Sequence, residues 1–144
     1  MNTLLLSRKD IEGIIDFESA YAAARDAYKA FSSGKVVQPP IVSIEIPAHH
    51  GELDIKSGYS AMEEIIGVKT ASGYPENPRQ YGLESLYGFI CLYDAKTSYP
   101  LCVMDSSRLT YYRTSAAGAY AATCLARKNS KVMAIIGTGG LARM

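Results

Sequence analysis

The 144-residue chain predicts an α+β fold that passes, close to its end, into the first strand and turn of an α/β unit. Three observations carry this. Apolar residues recur at helical spacing through the first thirty-odd positions. Short extended runs separated by turn residues fill positions 36–104. A final apolar run leads directly into Gly137-Thr138-Gly139-Gly140.

Ser7 with Asp10 marks a helix start, and Ile11, Ile14 and Ile15 follow at helical spacing. Asp16, with Ser19 three residues on, is the stronger N-cap. Phe17, Ala20, Tyr21, Ala24, Ala27, Tyr28 and Phe31 then mark one helix face, and Gly34 stands where a glycine ends such a helix. Pro39 and Pro40 interrupt the extended segment 36–47, so it belongs at a sheet edge or start, because proline cannot donate to a ladder. His49-His50-Gly51-Glu52 is a turn, and 53–59 is the hairpin partner. Residues 65–71, 85–93 and 99–104 are the third, fourth and fifth strands, with a loop at 73–78 and a tight turn at 94–98. Residues 114–127 are rich in alanine and predict a linking helix, broken by Asn129 and Ser130. Residues 131–136 read as a buried strand of the parallel type. The expected units are an α+β domain at 1–129 and the start of a second domain at 130–144.

Composition narrows the function. The net charge is +1, with 20% charged and 48% hydrophobic residues, the profile of a soluble globular protein. No basic stripe points to nucleic acid or to an anionic membrane, and no apolar run has bilayer-spanning length. The Leu4-Leu5-Leu6 patch lacks the flanks of a signal peptide. Cys91, Cys102 and Cys124 form no C-x-x-C pair and each sits in an apolar run. They are expected to be buried, in a reducing, cytoplasmic setting. Adjacent His49 and His50 in a polar turn are not expected to bind a metal.

Four constellations could carry chemistry. Gly137-Thr138-Gly139-Gly140-Leu141-Ala142 fits G-x-G-x-x-[GA] after a strand. The first glycine permits the turn, the second lets a pyrophosphate approach the backbone, and the small sixth residue packs the following helix. The alternative is an ordinary strand-to-helix turn. Arg113-Thr114-Ser115 opens the alanine-rich helix, where a cation opposes the helix dipole. Such an arginine asks for an anion: a substrate carboxylate, a phosphate, or a protein carboxylate such as Asp105. Lys69 lies in an apolar strand, and a buried lysine is rare unless paired; the alternative is an edge lysine reaching water. Lys56 is similar but a weaker candidate. Asp54, Glu63, Glu64 and Glu84 show no paired spacing for acid–base work.

Taken together, three segments resemble the ornithine cyclodeaminase/mu-crystallin family: Gly67-Val68-Lys69-Thr70-Ala71-Ser72-Gly73-Tyr74-Pro75, Arg113-Thr114-Ser115-Ala116-Ala117-Gly118-Ala119 and Met133-Ala134-Ile135-Ile136-Gly137-Thr138-Gly139. The hairpin from Gly88 to Leu101 matches as well. The resemblance implies a dimerisation domain whose sheet pairs with its twin, and a Rossmann domain that binds NAD or NADP. It implies a small amino-acid or cyclic-imine substrate and hydride transfer at Cα, followed by deaminating cyclisation or run in reverse as imine reduction. It makes Lys69 and Arg113 substrate-carboxylate ligands. It makes Ser85, Arg113, Thr114, Gly137, Gly139, Gly140 and Leu141 cofactor contacts. The family's catalytic aspartate falls beyond Met144, so no catalytic residue is expected within the chain, which reads as an N-terminal portion unable to bind the cofactor alone. Ile41 stands where the cyclodeaminases carry an arginine, Lys56-Ser57-Gly58 replaces their Met-Pro segment, and Leu141 replaces a frequent glutamine. A catalytically silent dimerisation or binding module is the other expectation.

Overall fold

Two capping boxes open the chain in the computed structural model, which describes residues 2–144. At helix α1 (Arg8–Ile14) the Ser7 hydroxyl accepts from the Asp10 N–H at 3.3 Å and the Asp10 carboxylate accepts from the Ser7 N–H at 2.9 Å. Asp16 and Ser19 repeat the exchange at α2 (Phe17–Ser32). Each box satisfies helix donors that have no intrahelical partner. Gly34, at φ +73°, turns the chain out of α2 in a conformation that suits glycine.

The strands that follow build one sheet in the order β1-β7-β6-β5-β4-β2, with β3 also on β4. They are β1 (Leu4–Leu6), β2 (Val36–Val37), β3 (Val42–Ile46), β4 (Gly51–Ser60), β5 (Ile65–Gly73), β6 (Leu86–Asp94) and β7 (Pro100–Asp105), with a short helix α3 (Asn77–Gln80) between β5 and β6. All pairings are antiparallel except β1 with β7. The expected meander is thus present, and a parallel edge strand joins it. Leu4-Leu5-Leu6 gave no strand signal because an apolar triplet has no period to read.

Helix α4 (Ser107–Leu125) begins well before the expected residue 114. Asp105 accepts from the Ser107 N–H at 2.9 Å, and Ser107 is buried. The start is set by this local contact and by the Ser106 N–H bonded to the Gly88 carbonyl, whereas the alanine run marks only the later part of the helix. Helices α2 and α4 pack together through Tyr21, Tyr28 and Tyr120, the Tyr21 and Tyr120 rings meeting edge to face at 6.0 Å. Ala116 is fully buried and Ala20 nearly so, which lets the helices approach closely. Helices α1 and α4 also contact β7 and β6, so the helices cover one sheet face. The register puts Leu5, Val42, Ile44 and Phe89 on the other face, all exposed.

Two further expectations are corrected. Residues 131–136 form no strand; Val132 and Ile136 are 89% and 102% exposed. A parallel strand exists through its ladder, and no described strand lies beside this segment. Of the three cysteines, all free, Cys102 is buried and Cys91 half-buried, but Cys124 is exposed near the end of α4.

Candidate functional site

Lys69 lies in the middle of the sheet, on β5, opposite Lys56 of β4 on one side and Ile90 of β6 on the other. It is no edge lysine. Its side chain points toward α4, where Nζ donates to Thr110 Oγ1 at 2.7 Å. The Thr110 hydroxyl donates in turn to the Ser106 carbonyl at 2.7 Å. A hydroxyl has one proton. With that proton given to Ser106, Thr110 offers Lys69 only a lone pair, and so holds it as a donor.

A glycine permits this contact. The Ser106 N–H donates to the Gly88 carbonyl at 3.0 Å, drawing the start of α4 onto β6. A Cβ at Gly88 would collide with the Thr70 carbonyl and stand 2.7 Å from Ser106 Oγ. The close approach of helix to sheet brings Thr110 within reach of β5.

The electrostatics follow from the same placement. Burial pushes the Lys69 ammonium down to about 8, with Arg113 and Lys56 adding to the effect. Arg113 makes no ion pair or side-chain hydrogen bond among the described residues. Asp105, the protein carboxylate that could have served it, holds the Ser107 backbone and hydroxyl instead. Since α4 starts at Ser107, Arg113 is in its second turn and the dipole argument for it does not hold. What stands is the absence of a partner. Asp54 is taken: its carboxylate accepts from Ser43 Oγ at 2.5 Å and pairs with Lys56 Nζ at 3.0 Å, which together hold it below the usual carboxylate range. The site thus carries an excess of positive charge over its own acids, the requirement for holding an anion.

The structure brings together Lys69 and Arg113, and adds Lys56 and Thr110. Lys56 carried a usable signal, because the hairpin joining β4 and β5 pairs it directly with Lys69. Thr110 lay outside the helix as read from the sequence, so its place three residues before Arg113 was hidden. Ser85 lies apart: the next residue, Leu86, pairs with Gly73, four positions along β5 from Lys69, about 13 Å at strand rise. The Ser85 carbonyl accepts from the Tyr74 N–H. The Thr114 hydroxyl is buried without a partner among the described residues, as is that of Ser106.

The glycine segment docks on α4. Ser115 Oγ donates to the Leu141 carbonyl at 2.7 Å, and Arg143 Nε donates to the Thr138 carbonyl at 2.9 Å. Gly140 lies so near Tyr111 that an added Cβ would be 3.0 Å from the ring. Gly137, at φ +104°, and Gly139 have nothing near their missing side chains. Both leave the backbone open to the approach of a phosphate. One 3-10 turn, Gly140–Arg143, follows them.

The sequence profile of the ornithine cyclodeaminase/mu-crystallin family matches residues 1–144. The chain belongs to this family. Within the family it is 34% identical to the alanine dehydrogenase of Archaeoglobus fulgidus over 139 residues, which are 96% of this chain and 42% of that protein. An archaeal alanine dehydrogenase dimer with bound NAD superimposes with a TM-score of 0.92 at 35% identity, over 99% of this chain and 43% of that one. The Δ1-pyrroline-2-carboxylate reductase of Thermococcus litoralis, in complex with NADH and L-proline, gives 0.92 at 38% identity, over 98% and 43%. The chain therefore spans less than half the length of these relatives. Among the described residues, no helix is long and apolar enough to cross a membrane.

Proposed function

We propose that this chain supplies the substrate-carboxylate arm of an NAD(P)-dependent enzyme acting at Cα of small amino acids or cyclic imines. The observation that carries the reading is the pair Lys69 and Arg113: two cations beside the sheet with no carboxylate partner among the described residues. Lys69, held as a donor by Thr110, takes one carboxylate oxygen, and the Arg113 guanidinium takes the other. Fixing the carboxylate at both oxygens orients Cα, which is the protein's share of such a reaction. A nicotinamide held beside Cα would supply the hydride acceptor or donor. Gly137, Gly139, Gly140 and Leu141 are the residues to hold its pyrophosphate, with Arg113, Thr114 and Ser85 as further contacts. The relatives that carry NAD or NADH support this assignment.

In this reading residues 1–129 are the substrate-binding and dimerising unit and 130–144 begin the nucleotide unit, in a reducing, cytoplasmic setting that suits three free cysteines. The exposed sheet face with Leu5, Val42, Ile44 and Phe89 supports pairing with a second copy. The same face favours a second reading, a catalytically silent dimerisation module. Calorimetric titration with L-alanine and L-proline separates the two. The enzyme reading expects binding that is lost in Lys69→Met and Arg113→Met; a stable dimer that binds neither amino acid supports the silent module.

A further inference from the structure

The hydrogen bond that holds Lys69 leaves its nitrogen open to chemistry once a proton is lost. Thr110 Oγ1 accepts from Lys69 Nζ at 2.7 Å and gives its own proton to the Ser106 carbonyl at 2.7 Å. A threonine hydroxyl has no second proton, so it cannot donate to the amine. An unprotonated Lys69 therefore keeps one N–H on Thr110 and has a free lone pair. Burial and the nearby Arg113 charge bring the amine down to about 8, so about a tenth of it is unprotonated at pH 7. Lys69 is half-buried on a central strand and not sealed, which admits a small neutral molecule.

A second observation says what that nitrogen would gain by reacting. Arg113 lies three residues beyond Thr110 on α4, a helical spacing that sets Cβ atoms about 5–6 Å apart. It has no ion pair among the described residues. Asp54 and Lys56 are paired at 3.0 Å and neutral together, and Asp105 accepts from Ser107, so neither acid answers Arg113. Two cations, Lys69 and Arg113, thus stand close without an anion. Turning the Lys69 ammonium into an anion replaces their repulsion by an ion pair.

We propose that Lys69 is a carbon dioxide site, its amine forming a reversible carbamate that the Arg113 guanidinium holds. The nitrogen lone pair forms an N–C bond to the carbon of CO2, one C=O π pair moves onto oxygen, and the N–H proton leaves to water. Nothing is oxidised or reduced, and the side chain passes from positive to negative. The carbamate needs no amino acid and so goes beyond the proposed carboxylate site. It also places a carboxylate-like group where that site would take a substrate's, so CO2 and amino acid should exclude each other. That exclusion alone rests on the proposed function.

The experiment equilibrates the full chain with isotopically labelled bicarbonate and CO2 at about pH 8, where half of the Lys69 amine is unprotonated. Carbamates are trapped by O-alkylation with a trialkyloxonium salt and located by peptide mass spectrometry; carbon NMR follows the untrapped chain. The expected result is a carbamate on Lys69 well above that on the exposed Lys9 and Lys29. Its resonance should vanish in Lys69→Met. Arg113→Met should weaken CO2 binding by about tenfold, the low end of what one nearby opposite charge contributes, and Arg113→Lys should retain most of it. No carbamate on Lys69, or no more than on Lys9 and Lys29, overturns the proposal, as does a Lys69 carbamate unmoved by Arg113→Met in a chain that melts normally. L-alanine should displace the carbamate. A carbamate that L-alanine leaves in place supports the CO2 site and counts against the carboxylate reading of Lys69.

Discussion

Lys69 and Gly137 stand on two halves of one proposed site, and the chain builds those halves by different means. Lys69 is held by strands on both sides and by α4 above it, in a contact that depends on Gly88. The glycine segment rests on α4 by the Ser115 hydrogen bond and by Gly140 against Tyr111. The carboxylate half is thus part of the folded core. The nucleotide half is a surface segment that could be lost without disturbing that core. The geometry of the proposed site is fixed from the substrate side.

One methyl group added to each half should separate them. Gly88→Ala should cost about 1–3 kcal/mol, because the sheet and α4 cannot both keep their places around it. Gly139→Ala, at φ −73° with open space around it, should stay within about 0.5 kcal/mol. Chemical denaturation reads both, and equal costs would remove the distinction between the halves.

Lys69→Met should reduce carboxylate affinity by roughly 10- to 100-fold, the usual span for a charge-assisted hydrogen bond. Its effect on stability should have the opposite sign. The folded-state value near 8 lies below the ordinary 10.5, so the unfolded chain binds the extra proton between those limits. The contribution of Lys69 to stability therefore rises from about pH 8 to about pH 10.5. Below pH 8 the full penalty of burying the charge is present. Lys69→Met should melt at a higher temperature than the wild type at pH 7, and the gap should narrow above pH 8. A lower melting temperature at pH 7 would show that the lysine is placed for stability.

Thr110→Val should cost about 1 kcal/mol and release Lys69 from its fixed orientation, while Thr110→Ser keeps both hydrogen bonds. The readout specific to positioning is carboxylate affinity, weakened by valine and retained by serine. The smallest effect is expected at Ser115→Ala. Hydrogen exchange should quicken at residues 140–143 and stay unchanged along α4.

Much of the carboxylate half was legible in the sequence. Both capping boxes and the meander follow from local spacing, and a lysine in an apolar strand singled out Lys69 as a candidate. Arg113 falls in the second turn of α4 because the helix starts at Ser107, where Asp105 holds the backbone and Ser106 and Ser107 are buried against the sheet, a burial that helix propensity does not see. Thr110 was hidden by the same early start. The position of Lys56 opposite Lys69 comes from strand register, a relation between two segments. The run 131–136 has the composition of a buried strand, but composition supplies no neighbour to pair with.

In the proposed function Lys69 is a half-buried cation kept ready for a carboxylate. Side-chain NMR of the chain labelled at lysine Cε tests it most directly, with Lys69→Met assigning the resonance. The expected result is a titration midpoint near 8 in the free chain, moving upward when L-alanine is added, because a bound carboxylate favours the charged form. A midpoint at the ordinary 10.5, unmoved by L-alanine, would contradict it.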